Sequence, residues 1–309
     1  MFGFLNVLKP AGPTSHDIVD KVRRVIGAAA RLRSVGRIKV GHAGTLDPFA
    51  EGVLIISLGQ ATRLTHYIQA QPKRYVAGIV LGATSTTDDT EGQIIPTPGA
   101  AAPDEPRVRR VLAAHTGSIQ QVPPNHSAVW VDGQRAYDLA RSGKDTGLQA
   151  RPVEIHSIDL LAYDYPRLEI AIVCGSGTYI RSLGRDIGGE LGCGGYCDRL
   201  VRTTIGAFDI SQAKLAEDLV LPDDILPPSA AVAHLPQAVV DEAGARIVSW
   251  GNAQELGEHA RIEGEKVQDG TEVVILDASG KLLATGIVKA KGDSLVLQPG
   301  RVFFPRYGK

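Results

Sequence analysis

The chain has 309 residues, 43% of them hydrophobic and 22% charged, with a formal net charge of −1. That length suggests two domains, and the composition has enough apolar material for a core, which excludes a disordered or fibrous chain. A charge near zero gives no general attraction to nucleic acid, no apolar run approaches the ~20 residues of a membrane-spanning helix, and the opening residues lack the apolar run after a basic start that marks a secretory leader.

Phe4 to Leu8 reads as a short strand running into the constrained loop Lys9-Pro10-Ala11-Gly12-Pro13. Ser15 is placed to cap the next helix, in which Ile18, Val19, Val22, Val25 and Ile26 share one face and which Gly27 would end. Residues 28–39 have no clear period and read as a basic loop or a short helix. Val40 to Gly52 holds three glycines and a proline, a shaped loop rather than a regular element. A strand over Val53–Leu58 and a helix over Ala61–Gln69 follow, then a strand over Tyr75–Leu81, the turn-rich segment Gly82 to Gly92 and a helix over Arg107–His115. A further helix starts over Ala136–Arg141, Ile155–Tyr163 and Leu168–Cys174 read as paired strands, and Tyr179–Leu191 as a helix with Ile180, Leu183, Ile187 and Leu191 on one side. This part is a mixed α+β body. Leu221 to Pro236 contains four prolines and reads as a linker, after which strands over Thr271–Leu276, Leu282–Val288 and Ser294–Leu297 indicate a small β-barrel or sandwich.

Charge is unevenly spread. Seven basic residues and no acidic one lie between Lys21 and Lys39, and four acids without a base lie between Glu217 and Asp224. A local basic surface attracts phosphates even on a neutral protein, although most charge runs are solvated faces. The three cysteines, Cys174, Cys193 and Cys197, suit a reducing compartment; without a nearby His or further Cys they form no zinc set and read as core thiols. A soluble, cytoplasmic protein is expected.

Asp47 stands out because it sits in the glycine-rich loop and precedes a proline, which restricts its backbone. On local grounds alone, a cap or Asx-turn is the commoner role of such a residue. The surrounding motif adds weight to chemistry. Val40-Gly41-His42-Ala43-Gly44-Thr45-Leu46-Asp47-Pro48 closely resembles the catalytic motif of the bacterial TruB-type pseudouridine synthases, enzymes that act on the T loop of tRNA. Leu8-Lys9-Pro10-Ala11-Gly12-Pro13-Thr14-Ser15 resembles that family's Lys-Pro motif, Lys73-Arg74-Tyr75 its tyrosine motif, and Gly177 to Leu183 with Leu200-Val201-Arg202 its last catalytic motif. The four motifs occur in family order from about Leu5 to Phe208, and the chain beyond Pro236 resembles the family's small RNA-binding C-terminal domain more weakly.

The resemblance implies a mixed, largely antiparallel central sheet with flanking helices over residues 1–236, and a small β-barrel-like (PUA-like) RNA-binding domain over 237–309. It implies isomerisation of the T-loop uridine, position 55, of tRNA to pseudouridine after base flipping, by a monomer that needs no cofactor and no metal. Asp47 would be the catalytic nucleophile or base, a role that suits a carboxylate ionised at neutral pH. Arg181 would pair with it, and Tyr75 would stack on the uracil and assist proton removal at C5. Tyr179, Leu200 and His42 would contact the substrate, with Lys9, Gly44 and Thr45 on the substrate side of the catalytic loop; Lys9 and Pro10 would also brace that loop. Arg31, Arg33, Arg37 and Lys39 are the phosphate-binding residues expected from the basic cluster. Each has a plainer reading: a surface arginine for Arg181, core aromatics for Tyr75 and Tyr179, a helix-core leucine for Leu200, a loop histidine for His42. Two departures from the family pattern concern RNA contacts. His126 and Trp130 stand where Tyr and Lys are usual, and Thr86 where Asp is common. The competing functions are the catalytic subunit of a guide-RNA pseudouridylation complex, which shares these motifs, and a tRNA-binding or folding protein without turnover.

Overall fold

The computed structural model describes residues 2–32, 38–125, 127, 130–131, 133–142, 146–255, 259–263, 267–292 and 294–303, and for 29–32, 131, 135, 138, 140, 141, 254 and 255 the backbone only. The chain begins with strand β1 (Gly3–Lys9) and helix α1 (Ser15–Leu32), followed by β2 (Val40–His42), β3 (Glu51–Leu58), α2 (Thr65–Ala70) and β4 (Lys73–Leu81). A hairpin of β5 (Ala83–Ser85) and β6 (Ile94–Pro96) leads to α3 (Glu105–Ala114), β7 (Gly117–Gln121) and a second hairpin, β8 (Trp130–Val131) and β9 (Gln134–Arg135). Then come α4 (Ala136–Arg141), β10 (Arg151–Asp164), β11 (Arg167–Cys174), α5 (Ile180–Glu190), β12 (Gly195–Ile205) and β13 (Phe208–Asp209). The C-terminal part is β14 (Gln237–Val240), α6 (Glu242–Ser249), β15 (Gln254–Glu255), β16 (Ala260–Glu263), β17 (Glu272–Asp277), β18 (Leu282–Lys291) and β19 (Ser294–Val302).

The main sheet runs β1-β3-β12-β4-β11-β10-β7, with β2 on β3 and β13 on β12. Among its described pairs only β3–β12 is parallel, so the sheet is mixed and largely antiparallel, as expected. Its core follows from strand periodicity. In β3, Leu54, Ile56 and Leu58 face α1 and meet Ile18, Val19, Val22 and Ile26, while Val53 and Ile55 point to the other face. In β4, Tyr75, Ala77, Ile79 and Leu81 face α3 and α5, packing with Val108, Leu112, Ile180, Leu183 and Ile187. The second sheet, β15-β19-β18-β17-β14-β16, encloses its own cluster with α6. Among the described residues no helix is long and apolar enough to cross a membrane.

Several expectations are corrected. Gly27 does not end α1, which runs to Leu32; the alanines after it are strong helix formers, and one glycine costs only about 1 kcal/mol. Ser15 does not cap the helix. Thr14 does: its Oγ1 accepts from the Asp17 amide at 3.1 Å, and Asp17 Oδ2 accepts from the Thr14 amide at 2.8 Å. The Ala61–Gln69 helix starts instead as a 3₁₀ turn over Gly59–Leu64. Leu200 is no helix-core residue, because β12 is a strand that the sequence reading missed, as were β14, β15, β16 and α6. The expected linker is a packed strap: Leu226 exchanges backbone hydrogen bonds with Phe4, and Ala231 and Val232 are buried beside Val274, Leu276, Leu282 and Phe303 of the C-terminal part.

The parallel junction depends on one glycine. Gly52 has φ +111°, and a Cβ there would lie 2.2 Å from the Arg202 carbonyl oxygen. Gly52→Ala is therefore expected to lower stability by about 3 kcal/mol or more, combining backbone strain of ~1–3 kcal/mol with a clash that only backbone movement relieves. Urea unfolding measures this, and a wild-type midpoint would contradict it.

Candidate active site

The chain leaves β2 with the Ala43 amide bonded to the Ile55 carbonyl, forms the loop from Gly44 to Ala50, and returns as β3. Gly44, at φ +108°, makes the reversal in a region that side chains avoid. The loop is tied down from three directions. Ser15 Oγ both donates to the Leu46 carbonyl and accepts from the Leu46 amide, each at 2.8 Å. Lys9 Nζ donates to the carbonyls of Pro10 and Pro48 at 3.0 Å and to that of Ala50 at 2.5 Å. The Gly12 amide donates to Pro48 O at 2.8 Å. These bonds leave Asp47 half-buried with its side chain 32% exposed.

Arg181, in the first turn of α5, meets Asp47 as a fork: Nε lies 2.8 Å from Oδ2 and Nη2 donates to Oδ1 at 3.2 Å. Its Nη1 donates to Asp89 Oδ2 at 2.9 Å and to the Thr87 carbonyl at 3.0 Å. Asp89 is fully buried and also accepts from the Glu91 amide and the Thr87 hydroxyl. Its turn is fixed by Asp88, which takes Arg185 at 2.8 Å. Burial holds the Asp47 carboxyl above its ordinary value; Arg181 opposes that rise, and the Asp89 charge adds to it.

A cavity of about 340 Å³ opens in front of this pair, within the range that holds small ligands. Gly44, Thr45, Leu46, Asp47, Tyr75, Tyr179, Arg181, Leu200 and Arg202 line it, together with Gln69, Lys73, Ser127 and Gly175–Thr178. Tyr75 comes from β4 and is 9% exposed; burial pushes its hydroxyl up, with the Arg202 guanidinium working against it. Tyr179 precedes α5, and its backbone is gripped by Gln121, which accepts from its amide at 2.8 Å and donates to its carbonyl at 3.0 Å. Arg151 lies 5.2 Å over the Tyr179 ring. Leu200 enters from β12, 5% exposed and paired with Ala77. Burial lowers the Lys73 amine to about 8.

Asp47, Arg181, Tyr75, Tyr179, Leu200, Gly44 and Thr45 thus meet around one cavity. Lys9 does not line it. Its amine is fully buried behind the loop and occupied by carbonyls, a bracing position that leaves no donor for a substrate. His42 sits on β2 outside the lining, its Nδ1 buried without a hydrogen-bond partner and the proton affinity of its ring pushed down by burial. Lys39 is exposed and away from the cavity, while the side chains of Arg31, Arg33 and Arg37 and residue His126 lie outside the described residues. Trp130 is 64% exposed, and Thr86 Oγ1 accepts from the Gln93 amide within its turn. The sequence reading gave no role to Asp89, Gln121, Lys73 or Arg202. Among the described residues no three His, Cys, Asp or Glu side chains converge as a metal-binding group.

The family model described as TruB family pseudouridylate synthase (N terminal domain) matches residues 32–180. The tRNA pseudouridine synthase B of Arthrobacter sp. (strain FB24) is 44% identical over 256 residues, 81% of each chain. That of Cereibacter sphaeroides is 40% identical over 309 residues, covering 97% of this chain and 96% of the relative. A solved structure of a Cbf5-Nop10-Gar1 complex contains a chain with TM-score 0.72 and 26% identity, covering 99% of this chain and 86% of that one. A chain of an H/ACA RNP bound to a substrate RNA shares the fold at TM-score 0.73 and 23% identity.

Asp89 holds the outer end of Arg181, so Asp89→Leu leaves the guanidinium with one carboxylate and frees it to turn. A misplacement of about 1 Å costs on the order of 10²-fold in rate. That loss, with tRNA affinity unchanged, is the expected outcome in single-turnover assays and filter binding; a wild-type rate would contradict the role of the pair.

Proposed function

The chain belongs to the TruB family of pseudouridylate synthases and is an isomerase acting on tRNA, and on that footing we propose that its target is the T-loop uridine, position 55, with Asp47 as the catalytic carboxylate. The observation that carries this reading is the Asp47–Arg181 fork, which presents one oriented carboxylate to the cavity. The glycosidic bond between ribose C1′ and uracil N1 breaks, the base turns, C5 bonds to C1′, and the C5 hydrogen leaves as a proton while N1 gains one. The reaction is redox-neutral and adds no atom.

Asp47 acts on the nucleoside as nucleophile or base, and Arg181 keeps its oxygens oriented towards the cavity. Tyr75 stacks on the uracil. Burial pushes the proton affinity of its hydroxyl up, and the hydroxyl assists removal of the C5 proton, which passes to solvent water. Leu200 supports the base from β12, and Tyr179 closes the side next to α5. A cavity this narrow admits a base only after it has left its stack, as enzymes acting on bases require. The exposed Lys39, together with Arg31, Arg33 and Arg37, contacts phosphates of the T stem-loop. Residues 1–236 serve as the catalytic unit and 237–309, with the second sheet, as an RNA-binding unit of a cytoplasmic monomer. A guide-RNA catalytic subunit is the second reading, supported by the likeness to the chain of the Cbf5 complex; relatives matched over nearly the whole chain favour the stand-alone enzyme.

Tritium release from tRNA labelled at uridine C5 tests the assignment. Release near one equivalent is expected from wild type, none from Asp47→Asn, and none from transcripts whose T-loop uridine is replaced. Release unaffected by the uridine replacement would sink the target, and full activity of Asp47→Asn would sink the site. A second outcome concerns pH. Since the ionised carboxylate is the active form and burial raises its proton affinity, activity is lost on acidification above the ordinary carboxylate value of ~3.9. A single-turnover pH profile whose acid limb fell at or below that value would contradict this.

A further inference from the structure

The cavity contains a second buried arginine with no role in the chemistry above. Arg202 is 2% exposed, and it stands on β12, two residues beyond the cavity-lining Leu200. Three of its hydrogen bonds go to backbone carbonyls, Nε donating to Val53 O at 2.8 Å, Nη2 to Gly44 O at 3.1 Å and Nη1 to Thr45 O at 3.4 Å, and its side chain also hydrogen-bonds the Tyr75 hydroxyl. Taking a guanidinium out of water is costly, and a scaffold needing only packing has apolar residues of that volume to use. The guanidinium is instead spread over the two ends of the Asp47 loop, Gly44–Thr45 where it leaves the sheet and Val53 where it has returned. The backbone of Arg202 makes the same junction, paired with Gly52 so closely that no side chain fits there. Strand and side chain together fix the loop to the floor of the cavity.

We propose that Arg202 is a positioning residue for the isomerisation, holding the Gly44–Thr45 carbonyls so that Asp47 keeps its place relative to Leu200 and Tyr75, which share its sheet neighbourhood. The proposal rests on the reading of Asp47 as the catalytic carboxylate. Register supports it, because Arg202 lies directly across from Tyr75 in the β12–β4 pair, so one residue spans the loop and the strand that carries the stacking tyrosine. Its charge is felt throughout this neighbourhood: beyond the larger effect of burial, it draws down the proton affinities of Lys9, His42, Lys73 and Tyr75.

The test compares wild type, Arg202→Lys, Arg202→Met, Asp47→Asn and the core variant Leu5→Ala. Leu5 is fully buried in β1 and outside the site. Single-turnover rate, tRNA affinity and Tm are measured for each. Arg202→Met is expected to lose about 10²-fold in rate, the scale of a small misplacement of a reacting group, while affinity stays within about threefold. Arg202→Lys keeps the charge but has a single donor centre instead of a fork, so its rate is expected to fall between the two. A Met variant no slower than Leu5→Ala at a comparable loss of Tm overturns the proposal, as does a parallel fall of rate and affinity. If Arg202→Met fails to fold, Arg202→Lys decides: a reduced rate with kept affinity supports the proposal, and a wild-type rate overturns it. Full activity in Asp47→Asn removes the reading on which the proposal rests, whereas an inactive Asp47→Asn beside a fast Arg202→Met removes the proposal alone.

Discussion

The guanidinium of Arg181 lies between two carboxylates, Asp47 at 2.8 Å and Asp89 at 2.9 Å. These residues are 134 and 92 positions from it in the chain. Three charges share a space from which Arg181 and Asp89 are almost fully excluded from water, 4% and 1% exposed at the side chain. Breaking such a cluster by removing one partner is strongly destabilising, so the surrounding segments have to bring all three together. The turn at Thr87–Asp89, the start of α5 and the loop after β2 are each shaped to do so.

That demand explains otherwise odd features. Asp88 adopts φ +63°, which is uncommon outside glycine, and its carbonyl accepts from the Cys197 amide while its carboxylate takes Arg185. The turn is thus anchored to β12 on one side and to α5 on the other. Lys9 and Ser15, both polar and both buried, hydrogen-bond the backbone of the Asp47 loop, Lys9 with one further bond to the Pro10 carbonyl. The polar interior around the cavity is consequently a system of fixed backbone positions, with Asp47 as the part left facing open space.

Much of this was legible in the residues. The strands β1, β3, β4, β10 and β11 announce themselves by apolar runs between turn residues, and Asp47, Tyr75, Tyr179 and Arg181 by short motifs. The rest fails for identifiable reasons. β12 reads Gly195 to Ile205 with Asp198, Arg199 and Arg202 inside it, and charged residues in a central strand break the pattern by which strands are recognised. Asp89 is one acid in a polar turn until folding places it against Arg181. Ser15 has the composition of a helix cap, but Thr14 takes that role and frees Ser15 for Leu46. Lys9 reads from its motif both as a brace of the loop and as a residue on the substrate side, and its burial with all its donors on carbonyls leaves only the bracing position. β14, β15 and β16 are two to four residues long, too short for alternation to register.

The strand order has a consequence for how the protein is made. β12 lies between β3 and β4, yet β3 ends at Leu58 and β4 at Leu81, while β12 begins only at Gly195. During synthesis from the N-terminus, both neighbours emerge with an unpaired edge facing a gap. At roughly 5–20 residues per second, the strand that fills it arrives on the order of 10 s after β3. Until then the nascent chain presents open strand edges of the kind that pair with other chains. The segment that completes the cavity floor is also the one that closes this vulnerable interval, so the active centre and protection from misassembly arrive with the same stretch of polypeptide.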